Sequence, residues 1–356
     1  MTSDRLARLR DSIAGERLEA LIVSGLPNIR YLTSFTGSNA LLLVTPRDAV
    51  LFTDGRYKLQ AGQEVQAAKV AVARGALVRS LIGSLKRRRL RRLGFEQRRV
   101  TFEFYQALRS GLPGCRLKPV LGAVETLRAV KSAEEIGTIR RAVELNSAVF
   151  ERSLRYIRPG RTEAEVAADI EHTMRTQGGD KPAFETIVAA GRRSALPHAR
   201  PGHKPLTKRQ FIIIDQGVIL DGYSSDMTRT VALGGLGRRG REVYRAVLDA
   251  QLSAIAAVKP GARARNIDRQ ARITLQKHGL EEAFVHSTGH GVGLEVHEAP
   301  RLGRNDKTVL EAGMVITIEP GAYLEGFGGV RIEDMVLVTT RGCEVLTPTS
   351  KDLRIL

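Results

Sequence analysis

The chain predicts an α/β N-terminal domain followed by an α+β C-terminal domain with a pseudo-twofold internal duplication and a curved antiparallel sheet. Two observations carry this. Up to about residue 125, short apolar runs alternate with stretches of helical periodicity, the pattern of a layered α/β domain. Beyond it, a block of Pro-Gly, helix and acidic β-hairpin occurs twice, about a hundred residues apart. At 356 residues the chain is also too long for one ordinary core, so two domains are expected, 1–128 and 129–356.

The first twenty residues alternate charged and apolar positions at helical spacing, led by Thr2 or Ser3 as cap, and lack the apolar segment of a signal peptide. The runs ALIVS (20–24), NALLLVT (39–45) and AVLFTD (49–54) read as strands, with Gly25, Pro27, Gly37 and Pro46 as turn residues between them. Helix-like stretches around 75–90 and 101–111 enclose a short strand at RLGFE. Ser132 and Glu135 then form an S-x-x-E capping box opening a long helix. Ile136, Ile139, Val143, Val149 and Leu154 run down one side of that helix, which ends at Arg158-Pro159-Gly160.

The duplication follows from three offsets that track one another. Pro159-Gly160 precedes the capping box Thr162-Glu163-Ala164-Glu165 and a helix, and Pro260-Gly261, 101 residues on, precedes a helix over 264–278. IIID ending at Asp215 is answered by ITIE ending at Glu319, and SSD ending at Asp226 by RIED containing Glu333, at offsets of 104 and 107. Two half-domains of helix, helix and hairpin would set their hairpins side by side.

Turn chemistry then places the acidic residues. Asp221-Gly222 is a two-residue turn signal, so partners across the first hairpin sum to 443 and Asp215 faces Thr228. Asp226 lies two residues from Thr228, on the face of Asp215. In the second hairpin a loop at Glu325-Gly326-Phe327 gives a sum of 652 and sets Glu319 opposite Glu333. Four carboxylates this close, in strands otherwise of Ile and Val, repel unless cations neutralise them. His290 supplies a nitrogen from the glycine-rich stretch Gly289-His290-Gly291-Val292-Gly293. One imidazole and four carboxylates suit two divalent ions.

Composition limits the alternatives. The net charge of +18 is densest in KRRRLRR, Lys86 to Arg92, followed by Arg98, Arg99 and Arg109. That invites a rival reading, a binding protein on the same scaffold using its basic surface for nucleic acid. Against it, aromatics are 5% with no Trp, no nucleic-acid motif is present, and arginine is spread along the whole chain, so no nucleic-acid partner is expected. Cys115 and Cys343 are too few for a disulfide framework or a structural zinc site. No apolar run approaches 18 residues, so no membrane partner and a cytoplasmic location are expected.

The series FETIVAAGRRSALPH, DQG…SSDMTRT, HSTGHGVGLEVHEAPR, TIEPG and GVRIED resembles the "pita-bread" metallopeptidase family of methionine aminopeptidase, creatinase and prolidase. Within it the match is to the Xaa-Pro dipeptidase and aminopeptidase P branch. NIRYLTSFTGSNALLLVT and LFTDGRY resemble that branch's creatinase-type N-terminal domain, and ETLRAVKSAEEI its junction. The stretch KPLTKRQF before IIID departs from the family's usual Gly-Asp in a loop that carries no ligand.

The resemblance implies a pita-bread catalytic domain over 129–356 and hydrolysis of Xaa-Pro bonds with a water held between two metals. It implies that Asp215 chelates one metal, Asp226 and Glu333 bridge, and His290 and Glu319 bind the second. The metals would be Mn²⁺ first, with Co²⁺ or Zn²⁺ as alternatives. Glu319 would shuttle a proton, His297 would donate to the developing oxyanion, and His198 would position the substrate. Phe184 would line the proline pocket, while Arg331 and, more weakly, Tyr223 would orient the bridging carboxylates. Arg301, just after HEAP, suits a dipeptide's free carboxylate but also occurs in aminopeptidase-like members, so di- and oligopeptide substrates both stay open. The branch implies a homodimer, with the N-terminal domain mediating it and narrowing the active-site entrance.

Overall fold

The computed structural model describes residues 2–356 and divides into two compact units, Met1–Arg128 and Ala129–Leu356. The first unit is a six-stranded mixed sheet with helices between its strands. In chain order it runs α1 (Thr2–Gly15), β1 (Ala20–Val23), α2 (Leu26–Thr33), β2 (Ala40–Val44), β3 (Ala49–Asp54), α3 (Lys58–Glu64) and β4 (Lys69–Ala73). It continues through α4 (Leu77–Arg88), β5 (Arg92–Glu96), α5 (Phe102–Gly111), β6 (Arg116–Val120) and α6 (Ala123–Ala129). Strand order is β4-β3-β2-β1-β5-β6, with β2 antiparallel to both neighbours and the other pairings parallel. β1 and β2 are buried at every position, as both-face-covered strands require. Ala20, Ile22, Leu41, Leu43, Leu93 and Phe95 pack on Leu81 and Leu85 of α4 and Leu108 of α5.

Two local expectations are corrected here, and two strands go unanticipated. Pro27 does not mark a turn: it sits in the first turn of α2, where its missing N–H costs nothing and its fixed φ suits the helix. Thr2 and Ser3 lie inside α1, so neither leads it as the cap. The strands β4 and β6 escape notice in the sequence because KVAVA and RLKPV carry polar or exposed positions throughout.

The second unit opens with α7 (Ala133–Ser153), capped by the full Ser132–Glu135 capping box. The Thr162–Glu165 box opens α8 (Glu163–Thr176) in the same way. Then come β7 (Lys181–Pro182), β8 (Ile187–Ala190) and a hairpin of β9 (Gln210–Gln216), β10 (Val218–Leu220), β11 (Tyr223–Ser224) and β12 (Met227–Leu233). The second half follows the same order. α9 (Arg238–Ala256) and α10 (Ala264–Lys277) precede β13 (Gly289–Gly291), β14 (Glu298–Leu302) and β15 (Val315–Ile318). The chain closes with β16 (Gly321–Leu324), β17 (Gly328–Arg331), β18 (Asp334–Val338) and β19 (Cys343–Val345).

Both predicted registers are present. Asp215 pairs with Thr228 and Leu220 with Tyr223, around Asp221 and Gly222 at φ 50° and 80°. Ile318 pairs with Asp334 and Gly321 with Arg331, around Gly326 at φ 74°. Ladder bonds assign the hairpins to separate sheets, β12-β9-β8 and β14-β13-β15-β18-β19. Hydrogen bonds close the seam between them: Glu333 N donates to Thr228 O at 3.1 Å, and the Thr230 hydroxyl donates to Arg331 O at 2.9 Å.

Behind the seam lies a buried ionic network. Arg229 donates to Thr228 O, Glu333 O, Thr349 O and Ser350 O, and to Asp334 Oδ1 at 2.7 Å. Asp334 Oδ2 accepts from Gln251 at 2.9 Å and Lys351 at 2.7 Å. One guanidinium therefore ties both hairpins to the C-terminal segment. Arg229→Met should destabilise the protein by about 3–5 kcal/mol, because it orphans several carbonyls and unbalances a buried carboxylate. Chemical denaturation of the purified variant measures this; a loss below about 1 kcal/mol would mean the seam does not depend on Arg229.

Candidate metal centre

Asp215 and Asp226 come from the first hairpin, Glu319 and Glu333 from the second, and His290 from β13. Asp226, His290 and Glu333 each present a ligand atom within 4.8 Å of the others'. His290 Nε2 stands 3.6 Å from Asp226 Oδ2 and 3.4 Å from Glu319 Oε1. Its Nδ1 is 3.0 Å from the carbonyl oxygen of Gly291, so the ring proton sits on Nδ1 and the Nε2 lone pair faces the carboxylates. Close packing of backbone makes this possible: a Cβ on Gly289 would come 2.0 Å from Thr317 O, and one on Gly291 2.2 Å from Ala299 O.

Arg331 organises the carboxylates. Its Nη2 donates to Asp215 Oδ2 at 2.7 Å, and its Nε donates to the Thr228 hydroxyl, which donates to Glu333 Oε2 at 2.7 Å. Nη1 reaches Tyr323 Oη at 2.7 Å and Pro197 O at 3.2 Å. Tyr323 in turn faces His286 Nε2 at 2.8 Å; His286 Nδ1 donates to Ser287 O, so the phenol supplies the proton of that bond. The family resemblance implies Tyr223 beside these carboxylates. Its hydroxyl instead donates to Glu135 of α7, and the tyrosine at the arginine is Tyr323. A signal for it existed: Tyr323 pairs across β16–β17 with Gly329, whose missing side chain leaves room for a ring.

The other expected residues occupy separate positions. His297 is exposed, its ring edge-to-face with His290 at 4.3 Å between centroids. His198 is exposed one residue beyond Pro197. Arg301 is exposed and pairs with His290 across β13–β14, placing both side chains on one face. Phe184 is half-buried against Gly217, at the neck of the first hairpin.

Electrostatics identify what the cluster lacks. Burial, then the charges of Glu333, Asp215 and Glu319, push the Asp226 carboxyl well above its ordinary range. Burial, then the charges of Glu319 and Asp215, raise Glu333 well above its range, and burial with the charge of Asp215 raises Glu319 to about 7 against the opposing charge of Arg331. Asp215 Oδ1 is buried without a hydrogen-bond partner. A buried acceptor left unpaired, three carboxyls resisting ionisation and a neutral imidazole aimed at them fit divalent cations, which satisfy every one of these groups.

The fold and this donor set define a metallopeptidase. Residues 137–340 match metallopeptidase family M24, and residues 5–130 match the creatinase/prolidase N-terminal domain. The chain belongs to metallopeptidase family M24. It is 44% identical to the Xaa-Pro dipeptidase of Pyrococcus furiosus over 66% of this chain and 68% of that one. Among solved structures it superposes on an Xaa-Pro dipeptidase from Bacillus anthracis with a TM-score of 0.97 at 38% identity, covering 100% of both chains. An X-Pro aminopeptidase from Thermotoga maritima superposes at 0.89 and 34% identity, over 96% of this chain and 100% of that one.

Two outcomes follow. Arg331→Met should weaken divalent-metal affinity about 10–100-fold, read by competition with a fluorescent chelator, because Asp215 and Thr228 lose the donor that orients them. Unchanged affinity would remove Arg331 from the site's support. Second, the chelated protein should lose thermal stability relative to its Glu319→Gln variant as pH rises from about 5 to 7, and the difference should level off above that. The folded-state Glu319 carboxyl holds a proton that the unfolded chain releases near pH 4.5, so the loss is complete once pH has passed about 7. Groups common to both proteins cancel in the difference. Metal-loaded protein should not show this loss; a parallel decline in both forms contradicts the prediction.

Proposed function

We propose that the protein hydrolyses Xaa-Pro dipeptides at a two-metal centre formed by Asp215, Asp226, His290, Glu319 and Glu333. The observation that carries this reading is the convergence of His290 Nε2 with the carboxylates of Asp226, Glu319 and Glu333, with Asp215 joined to Glu333 through Arg331 and Thr228. The oxygen-dominated donor set favours Mn²⁺ over Zn²⁺. When bound, the ions supply Lewis-acid polarisation of the scissile carbonyl and activate the attacking water.

The chain's own residues do the rest. Arg331 holds Asp215 directly and Glu333 through Thr228, so the carboxylates meet their ligands without rearrangement. Glu319 is held by the Thr317 hydroxyl at 3.3 Å and carries the proton on its carboxylate to the departing proline nitrogen. His297 donates from its exposed ring to the carbonyl oxygen as charge develops. His198 orients the substrate backbone, and its loop is fixed by the bond from Arg331 to Pro197 O. Phe184 contributes an apolar wall for the proline ring. Arg301, on the face of His290, pairs with the free carboxylate of a dipeptide, a bidentate geometry suited to guanidinium.

Incubation of Mn²⁺-loaded protein with Ala-Pro and with Ala-Pro-Ala tests this. Ala-Pro should be the better substrate, Asp226→Ala should abolish cleavage, and Arg301→Ala should raise KM for Ala-Pro about 10–100-fold. Preferential cleavage of the tripeptide would make the protein an aminopeptidase, and cleavage of neither with any divalent metal would end the peptidase reading.

A further inference from the structure

We propose that Lys131 is a positioning residue for hydrolysis, acting through a buried ion pair with Glu298 that sets His297 above the centre. Lys131 Nζ lies 3.2 Å from Glu298 Oε2, with side chains 1% and 6% exposed. It also donates to Ala129 O at 3.3 Å. Neither residue belongs to the metal cluster. Two charges so deep cost several kcal/mol of desolvation each, and apolar residues of similar size would stabilise the fold as well or better. The pair is therefore better explained by what it holds in place.

What it holds is the loop between two histidines. Glu298 opens β14 opposite Gly291, where the β13–β14 ladder shifts register beside His290. Its Oε1 accepts from Glu295 N at 3.1 Å, closing the turn over 295–298 that contains His297. The carboxylate also lies directly over Gly293, where a Cβ would come within 2.7 Å of both oxygens. Gly293 O accepts from Ser224 N at 2.8 Å, two residues before Asp226. At the other end, Lys131 is anchored by its backbone: Lys131 N donates to Gly313 O at 2.9 Å, and Val130 bridges to Met314. The strut runs from the first residues of the second unit to the backbone that presents His297.

The inference rests on the peptidase reading, since His297 is assigned there to the developing oxyanion. A group acting only on the transition state changes kcat and leaves KM and metal content alone. Lys131→Met should therefore lower kcat for Ala-Pro about 10–100-fold, with KM within about twofold and full metal stoichiometry. In a His297→Ala background the same change should cost less than about twofold, because the residue it acts through is gone.

Lys131→Met strands a buried carboxylate and can unfold the chain, so Lys131→Met with Glu298→Gln is the second variant. The double variant should melt near wild type yet keep the low kcat, and ¹³Cε1-histidine NMR should show the His297 resonance displaced. Recovery of kcat together with stability, or an unmoved His297 resonance, would falsify the proposal and leave the pair purely structural. If wild-type protein cleaves no Xaa-Pro peptide, the peptidase reading fails, and the NMR comparison still decides whether the strut positions His297.

Discussion

The second unit is arranged around one electrostatic problem: several carboxylates share a buried site with one guanidinium in direct contact. At an effective dielectric constant of about 20, two like charges under 5 Å apart repel by about 3–4 kcal/mol, and burial adds a desolvation cost to each. Arg331 offsets part of this through Asp215, while Thr228 and Thr317 lend hydroxyl donors to Glu333 and Glu319. The remainder shows as carboxyls held above their ordinary range. In this arrangement, cation binding and completion of the folded state's electrostatics are one event.

Strand alternation separates this problem from the structural one. Thr228, Thr230, Arg331 and Glu333 point to the metal face, while Arg229 and Asp334 point to the opposite side. Two arginines thus clamp the same seam from its two faces. Arg331 orients the Asp215 and Glu333 carboxylates, and Arg229 with Asp334, Gln251 and Lys351 locks the hairpins to the C-terminal segment. A one-residue slip of either hairpin would exchange these faces and bury each charge among the wrong partners, so the polar seam enforces the register that the turns begin.

This explains which parts of the molecule were legible in the sequence. The hairpin registers were, because Asp221-Gly222 and Gly326 occupy backbone conformations that few residues accept, and counting outward from them places the four carboxylates. The two capping boxes were, because a cap is encoded within four residues. The long-range polar partners were not. Arg229 meets Asp334 across 105 residues, and Lys131 meets Glu298 across 167, with nothing local to announce either pairing. Tyr323 likewise has no local mark: it meets Arg331 eight residues on across the second hairpin, while Tyr223 meets Glu135 of α7.

The duplicated halves also share a device that regular sheet could not provide. In each hairpin the ladder lapses beside the clustered acidic residues, although Asp215 itself stays paired with Thr228. In the second, pairing stops at Ile318–Asp334 and resumes at Gly321–Arg331, leaving Glu319 and Glu333 in the gap. Their freed N–H groups turn to neighbouring segments, Glu319 N to Thr288 O at 2.8 Å and Glu333 N to Thr228 O at 3.1 Å. In the first, pairing stops at Gln216–Met227 and resumes at Ile219–Ser224, and Asp226 N turns to Met335 Sδ at 3.2 Å. The ladder around His290 shifts register as well. Four of the five donors therefore sit where strand pairing is interrupted. An interruption releases backbone bonds, and here those of Glu333 and Asp226 join one hairpin to the other, so the irregularity that aims these carboxylates also fastens the two hairpins together.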